Sequence, residues 1–333
     1  MKANPWFFRL SLATTALTFF VVVLGAWVRL TDAGLGCPDW PGCYGQLDVP
    51  NTPEAVAAAN AAFPDTPVDI GKGWREMVHR YAAGILGLLV LGLGIFAWRL
   101  RKNPGQPWKV PLALVGIILF QATLGAWTVT WQLKPAVVTA HLLGGLTTLS
   151  LLWWTTLRTQ AMGGAGRLAT TRGLGALLAV GLVATIAQVT LGGWTSTNYA
   201  ALACNEFPTC SLGEYWPDRA DFDEGFVLWR GLGVNYEFGV LDHPARMVIH
   251  LVHRVGAIAL TLVLGFLAWW LWRAGGIGRG MGIAVAGALL LQITIGIGNV
   301  VYNLPLTLAV AHNAGAALLL MVLVTVIHVR RAP

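Results

Sequence analysis

The sequence predicts an all-α integral membrane protein, with eight transmembrane helices arranged as two duplicated four-helix bundles in parallel pseudo-symmetry. Three observations carry this. Of the 333 residues, 56% are hydrophobic and only 11% charged, with sixteen tryptophans, far from the composition of a soluble globular domain. Apolar runs of about 20 residues, each long enough to cross a hydrocarbon core of about 30 Å as helix, recur through the chain. The second half then repeats the first, motif by motif.

The runs lie at roughly 7–28, 77–98, 110–131, 136–157, 173–194, 246–272, 280–301 and 306–328. The first exceeds the apolar core of a usual signal peptide and continues into "GAWVRLTDAG" with no clear small-residue cleavage site, so it reads as the first span. Two long segments, 29–75 and 195–245, separate spans one from two and five from six. In the first of them, "TPEAVAAANAAF" at 52–63 opens with a Thr-Pro start signal and is alanine-rich, which predicts a short surface helix.

Basic residues set the orientation. With the N-terminus inside, the inner segments hold Lys2, Arg9, Arg99, Arg101, Lys102, Lys109, Arg158, Arg167, Arg172, Arg273, Arg279, Arg330 and Arg331, thirteen of the 22 Lys and Arg. Both termini are therefore expected in the cytoplasm, and all fifteen acidic residues fall in the outer loops or at helix ends beside them. The net charge of +7 is accounted for by this topology and by anionic lipid, and calls for no nucleic-acid partner. The two long loops carry all four cysteines, in "CPDWPGC" (37–43) and "CNEFPTC" (204–210). On the periplasmic side of a bacterial inner membrane these thiols meet an oxidising environment, which permits disulfides. Neither pair has CxxC spacing and neither heptapeptide contains histidine, so a zinc site is poorly supported.

Self-similarity organises the rest. "LGAW" at 24–27 matches "LGGW" at 191–194, and Cys37 and Cys43 match Cys204 and Cys210 at the same offset of 167. "EMVHRYAAGILGLLVLG" at 76–92 matches "HLVHRVGAIALTLVLG" at 250–265, and Gln121 and His141 match Gln292 and His312. The halves are 1–160 and 170–333, and the even number of spans between them makes their orientation parallel.

Duplication for packing alone would keep small and apolar residues. Here it keeps histidine: four of the seven in the chain form two superimposable pairs, His79 with His141 and His253 with His312. Each lies near the outer start of its span, so the two imidazoles of a pair share a depth. A single membrane histidine commonly serves as an interhelical hydrogen-bond partner. Two duplicated pairs at one depth point instead to ligands, because intramembrane ionisable groups are costly and mark function. Zinc or copper would want more ligands, and the second site lacks carboxylates and thiolates to supply them. Two histidines from different helices of a four-helix bundle suit the two axial positions of a heme.

The halves differ one turn before the first histidine, where Glu76 is replaced by His250. A carboxylate on the same helical face as a heme ligand could take a proton or orient water beside the macrocycle; its simpler role is an interfacial cap. Arg80 and Arg254, which follow His79 and His253 directly, could pair with heme propionates or acidic lipid heads, or anchor the helix at the interface.

In "GAWVRLTDAGLGCPDWPGC", "EMVHR", "VVTAHLLGG", "CNEFPTC", "NYEFGVLDHPARMVIHLVHRVGA" and "LAVAHNAGA", the chain resembles the heme A synthase family of cytochrome oxidase biogenesis, over all eight spans. Each motif alone is weak, but their order, spacing and duplication are specific. The resemblance implies an enzyme that oxidises the C8 methyl of heme O to the formyl group of heme A, with water as oxygen source. By the same resemblance, His79 and His141 flank the substrate heme, Glu76 assists the chemistry, and His253 and His312 ligate the iron of a heme B cofactor; Arg80 joins the substrate-heme contacts by its place directly after His79. It implies a disulfide in each half, Cys37–Cys43 and Cys204–Cys210, as in the cysteine-containing bacterial branch. Implied partners are heme O synthase, cytochrome oxidase assembly proteins and an electron acceptor. His250 receives no role from it.

Two other functions use the same four ligands. One is a diheme b-type cytochrome passing electrons from quinol, with Glu76 as a proton acceptor. The other is a non-enzymatic heme carrier or assembly factor, with "GEYWPDRADFDEGFVLWRG" in the second loop as a protein-binding segment. An acid at 76 without a mirror-image acid makes the two sites unequal, which favours an enzyme over a symmetric wire.

Overall fold

The computed structural model describes residues 4–159, 168, 172–218 and 220–331. Of the basic residues assigned above to the inner side, Lys2 and Arg167 lie outside these. Ten helices are present among the described residues and no strand: α1 (Pro5–Leu30), α2 (Pro53–Ala62), α3 (Ile70–Arg99), α4 (Lys109–Thr130), α5 (Pro135–Thr159), α6 (Arg172–Thr197), α7 (Phe222–Gly225), α8 (His243–Arg273), α9 (Gly276–Val301) and α10 (Leu306–Arg331). All except α2 and α7 are long and apolar enough to cross a membrane, which gives a multi-pass helical membrane protein of eight spans.

Local chemistry fixes the starts. Asn4 Oδ1 accepts from the backbone N–H of Trp6 (2.9 Å) ahead of Pro5 in α1, and Thr52 Oγ1 accepts from Ala55 N–H (3.2 Å) ahead of Pro53 in α2. The short helix expected at 52–63 is therefore present, between Thr52 and Phe63. Asp69 starts α3 by accepting from Lys72 N–H at 2.9 Å, seven residues before the apolar run begins. Likewise α8 starts at His243, before its run at 246. Hydropathy detects only the part of a helix that must lie in hydrocarbon. At 1.5 Å per residue, α3 and α8 are each about 45 Å long and extend past the core toward the two long loops.

Each half closes on itself as a ring of four. In the first, α1 packs on α3, α3 on α4, α4 on α5 and α5 back on α1; in the second, α6, α8, α9 and α10 repeat that order. The halves meet through α1, α5, α6 and α10. Lipid offers little hydrophobic drive between helices, so small and hydroxyl side chains make the seams. Ser11 and Thr15 of α1 hydrogen-bond Thr156 of α5 at 2.8 and 3.1 Å, all three buried.

Between the halves, positions related by the repeat face one another. Arg29 donates to Ser196 O (2.7 Å), and Tyr199 OH donates to Asp32 Oδ1 (3.0 Å), both separated by 167 residues. Trp153 Nε1 donates to Thr325 Oγ1 (2.9 Å), and at the long-loop end Lys72 pairs with Glu237 at 3.0 Å. The Lys72–Glu237 pair is partly exposed, so Lys72→Ala is expected to lower stability by no more than about 1 kcal/mol. A thermal melt of the purified variant in detergent measures this.

Candidate functional site

The four histidines stand in equivalent settings. His79 is the tenth residue of α3 and His253 the eleventh of α8, which puts both about 14–15 Å along the axis from the starts of their helices. Every ring rests on a glycine of the neighbouring helix. A Cβ at Gly25 of α1 would lie 3.0 Å from His79 Cε1, and one at Gly125 of α4 would lie 3.3 Å from His141 Cε1. The corresponding distances are 3.2 Å for Gly192 of α6 against His253 and 3.0 Å for Gly296 of α9 against His312. Any side chain at these glycines would occupy the space of the ring.

All four rings line a single continuous cavity of about 2010 Å³ that reaches both halves. That is roughly twice the volume of a large small-molecule pocket. Three histidines are also held by glutamine. Gln121 Nε2 donates to His141 O at 2.5 Å, Gln188 Nε2 to His253 O at 3.0 Å and Gln292 Nε2 to His312 O at 3.0 Å.

Above the rings sit the cysteine loops, bound by disulfides Cys37–Cys43 and Cys204–Cys210. Each loop is built on the arginine that follows the histidine. Arg80 donates to the carbonyls of Asp39 (2.8 Å), Pro41 (3.3 Å) and Gly42. Arg254 donates to those of Thr209 (2.8 Å), Cys204 (3.1 Å) and Glu206 (2.8 Å). The acid inside each heptapeptide caps the turn that follows it. Asp39 accepts from Tyr44 and Gly45 N–H, both at 2.7 Å, and Glu206 from Leu212 and Gly213 N–H, both at 3.0 Å. Those donors, together with Thr209, hold the Glu206 carboxyl below the usual carboxylate range.

Glu76 joins the loop to the cavity. Buried at 5% exposure, it accepts from Cys37 N–H through Oε2 (2.9 Å) and from Arg80 Nη2 through Oε1 (2.5 Å), and it lines the cavity beside His79. His250 takes the same two neighbours in the second half. Cys204 N–H lies 3.3 Å from its Nδ1 and Arg254 Nε 3.2 Å from its Nε2. A neutral imidazole accepts at one nitrogen only, so those two donors compete, whereas a carboxylate satisfies both. His250 thus keeps the mechanical link between loop and helix without keeping the acid.

The residues fit a heme better than a bare ion. Among the described residues, no group of three or more His, Cys, Asp or Glu side chains is placed to hold a metal. Paired imidazoles remain, and Nδ1 of His79, His141 and His312 is buried with no hydrogen-bond partner among those residues. An unpartnered nitrogen on each of these three rings, beside a large apolar cavity, is available to ligate a heme iron.

A family model described as COX15-CtaA, cytochrome oxidase assembly protein, matches residues 8–324. The chain belongs to this family. It is 46% identical to the heme A synthase of Shewanella oneidensis, over 96% of this chain and 94% of that protein. It is 28% identical to the heme A synthase of Shouchella clausii over 79% and 75% of the two chains, and 26% identical to that of Sphingopyxis alaskensis over 95% and 89%.

For this family member, the structure brings Glu76, His79, Arg80, His141, His253 and His312 around one cavity. Arg80 is turned toward loop carbonyls as well as Glu76. Sequence reasoning missed Gln188 and the four ring-bearing glycines. The spacing Q-x-x-x-G, present at 121–125, 188–192 and 292–296, is the signal that could have found Gln188 and three of those glycines; Gly25 lacks it. Each disulfide closes a short loop, so reducing it is expected to cost about 2–3 kcal/mol. Intact-mass measurement with alkylation before and after reduction should show both bonds within their heptapeptides. Peptides joined across the halves would contradict the observed pairing.

Proposed function

We propose that this protein is a heme A synthase, oxidising the C8 methyl of heme O to the formyl group of heme A within the membrane. The observation that carries the reading is a duplicated bis-histidine cavity with a carboxylate in one half only. In the balanced reaction the methyl carbon gives up four electrons, two protons leave the methyl, and two leave the water that supplies the formyl oxygen. The electrons leave to an acceptor outside this chain.

The half 1–160 takes the substrate, with His79 and His141 on either side of its iron. Glu76, whose carboxylate keeps lone pairs beyond those used by Arg80 and Cys37, accepts protons and orients water at the substrate edge. Arg80 brings positive charge to the acidic periphery of the substrate while it holds the loop above. The half 170–333 takes a heme B on His253 and His312, which supplies a one-electron carrier when bound. His250 in place of an acid leaves that half without a carboxylate at this position and keeps it to ligation.

The basic residues of the inner segments support cytoplasmic termini and periplasmic cysteine loops in a bacterial inner membrane. Heme O synthase and cytochrome oxidase assembly proteins are the partners this reaction calls for, as supplier of the substrate and users of the product. Expression in cells that make heme O, followed by pigment extraction, tests the proposal. Heme B together with heme O or heme A is the expected result. Heme B alone under every expression condition would favour the diheme electron carrier.

A further inference from the structure

Four histidines share one setting, but only three carry the glutamine. Each clamp has two parts. The Gln amide nitrogen donates to the histidine carbonyl of the facing helix, and the amide oxygen fills the place a Cβ would take three residues after that histidine. That oxygen is Gln121's at Gly144, Gln188's at Gly256 and Gln292's at Gly315. The fourth pair breaks the pattern at both parts together. Where α1 should carry glutamine, four residues before Gly25, it carries Val21, and three residues after His79 stands Ala82.

The clamps are also graded. In the second half the amide nitrogen reaches the ring as well as the carbonyl: Gln188 Nε2 lies 3.1 Å from His253 Nδ1, and Gln292 Nε2 lies 3.3 Å from His312 Nε2. Gln121 reaches only the His141 carbonyl. At His79 the facing side chain is the apolar Val21, which makes neither contact; the His79 Nδ1, like those of His141 and His312, has no hydrogen-bond partner among the described residues. Groups outside the ligand shell that orient a histidine tune how strongly it stays on its metal.

We infer that His79 is the exchangeable ligand of the four, and that Val21 and Ala82, in place of a Gln/Gly clamp, let it leave the substrate iron while His141, His253 and His312 stay. Gln121, Gln188 and Gln292 are positioning residues. The inference rests on the reading above that His79 and His141 flank the substrate heme. It gives the reactive half one coordination position that opens and gives the cofactor half none.

The test uses the purified full-length protein with its hemes, reduced and titrated with carbon monoxide, read by optical absorption and needing no turnover. In the unmodified protein, carbon monoxide is expected at the first-half heme only. Building the clamp with Val21→Gln/Ala82→Gly should weaken carbon monoxide binding there by about tenfold or more, with heme retained. The reverse transplant, Gln292→Val/Gly315→Ala, should make the second-half heme bind carbon monoxide, and it keeps the test open if the first variant does not fold.

Unchanged affinities in the transplants that fold would overturn the inference. His79→Ala separates this failure from that of the underlying reading. A first-half heme that becomes five-coordinate in His79→Ala upholds His79 as a ligand. One that stays six-coordinate shows that His79 is not a ligand and removes the basis of both.

Discussion

The Glu76→His variant is expected to keep its fold and its hemes and to lose heme A formation by about 10²-fold or more, the usual scale for removing a positioned acid–base group. The second half supplies the reason to choose histidine. His250 occupies the equivalent place, against the backbone N–H of Cys204 and the guanidinium of Arg254, beneath an intact disulfide loop. An imidazole at 76 therefore has a worked precedent within the same molecule for spanning the loop and the helix. What it cannot reproduce is a carboxylate that holds Cys37 N–H and Arg80 together and still offers lone pairs to the cavity.

Heme extracted from membranes and resolved by chromatography gives the yield, and an optical spectrum of the purified variant gives the heme content. Heme A at the unmodified level with full heme content would take Glu76 out of the chemistry and leave it the loop-holding role alone. Loss of heme together with activity would show the opposite division, with the acid acting mainly through structure.

With His253 and His312 proposed as heme ligands, Gly296→Val is expected to lower heme occupancy in the half 170–333 by about tenfold or more. A Cβ at this position would already stand 3.0 Å from His312 Cε1, and the valine methyls extend further into the ring. Overpacking of this kind costs about 1–3 kcal/mol, and the least costly relief is rotation of the imidazole away from its present place. Gly287→Val is the matched control, on the same helix at an exposed position with no heavy atom within 4 Å of an added Cβ. Heme per protein, measured on both purified variants, should fall for the first and hold for the second. Equal heme content in the two would mean that the ring at 312 is not confined by Gly296, or that it does not hold the heme.

The sequence by itself determined the features that lipid imposes residue by residue. Eight spans, the two long loops and the four repeated histidines were all legible, because hydrocarbon demands about 20 apolar residues per crossing and makes every retained imidazole conspicuous. The Thr52 start of α2 was legible for the same local reason, a cap and a proline within two residues. Helix ends were less so: α3 begins at Ile70, where Asp69 caps it, and no hydropathy window registers a cap.

Only the tertiary structure decided what the polar residues do to one another. Arg80 reads in the sequence as a partner for propionate or lipid, and in the fold it also carries the carbonyls of a loop some forty residues earlier. Glu76 reads as a lone acid, and in the fold it is tied to a disulfide loop through Cys37 N–H. His250 had no legible role until its contacts to Cys204 and Arg254 made it the non-acidic counterpart of Glu76. Gln188, Val21 and Ala82 acquire meaning only once α6 faces α8 and α1 faces α3. The physical reason is common to all of them. Burial is a property each residue carries in its own chemistry, whereas a hydrogen bond between a side chain and a distant backbone depends on which helices the packing has made neighbours.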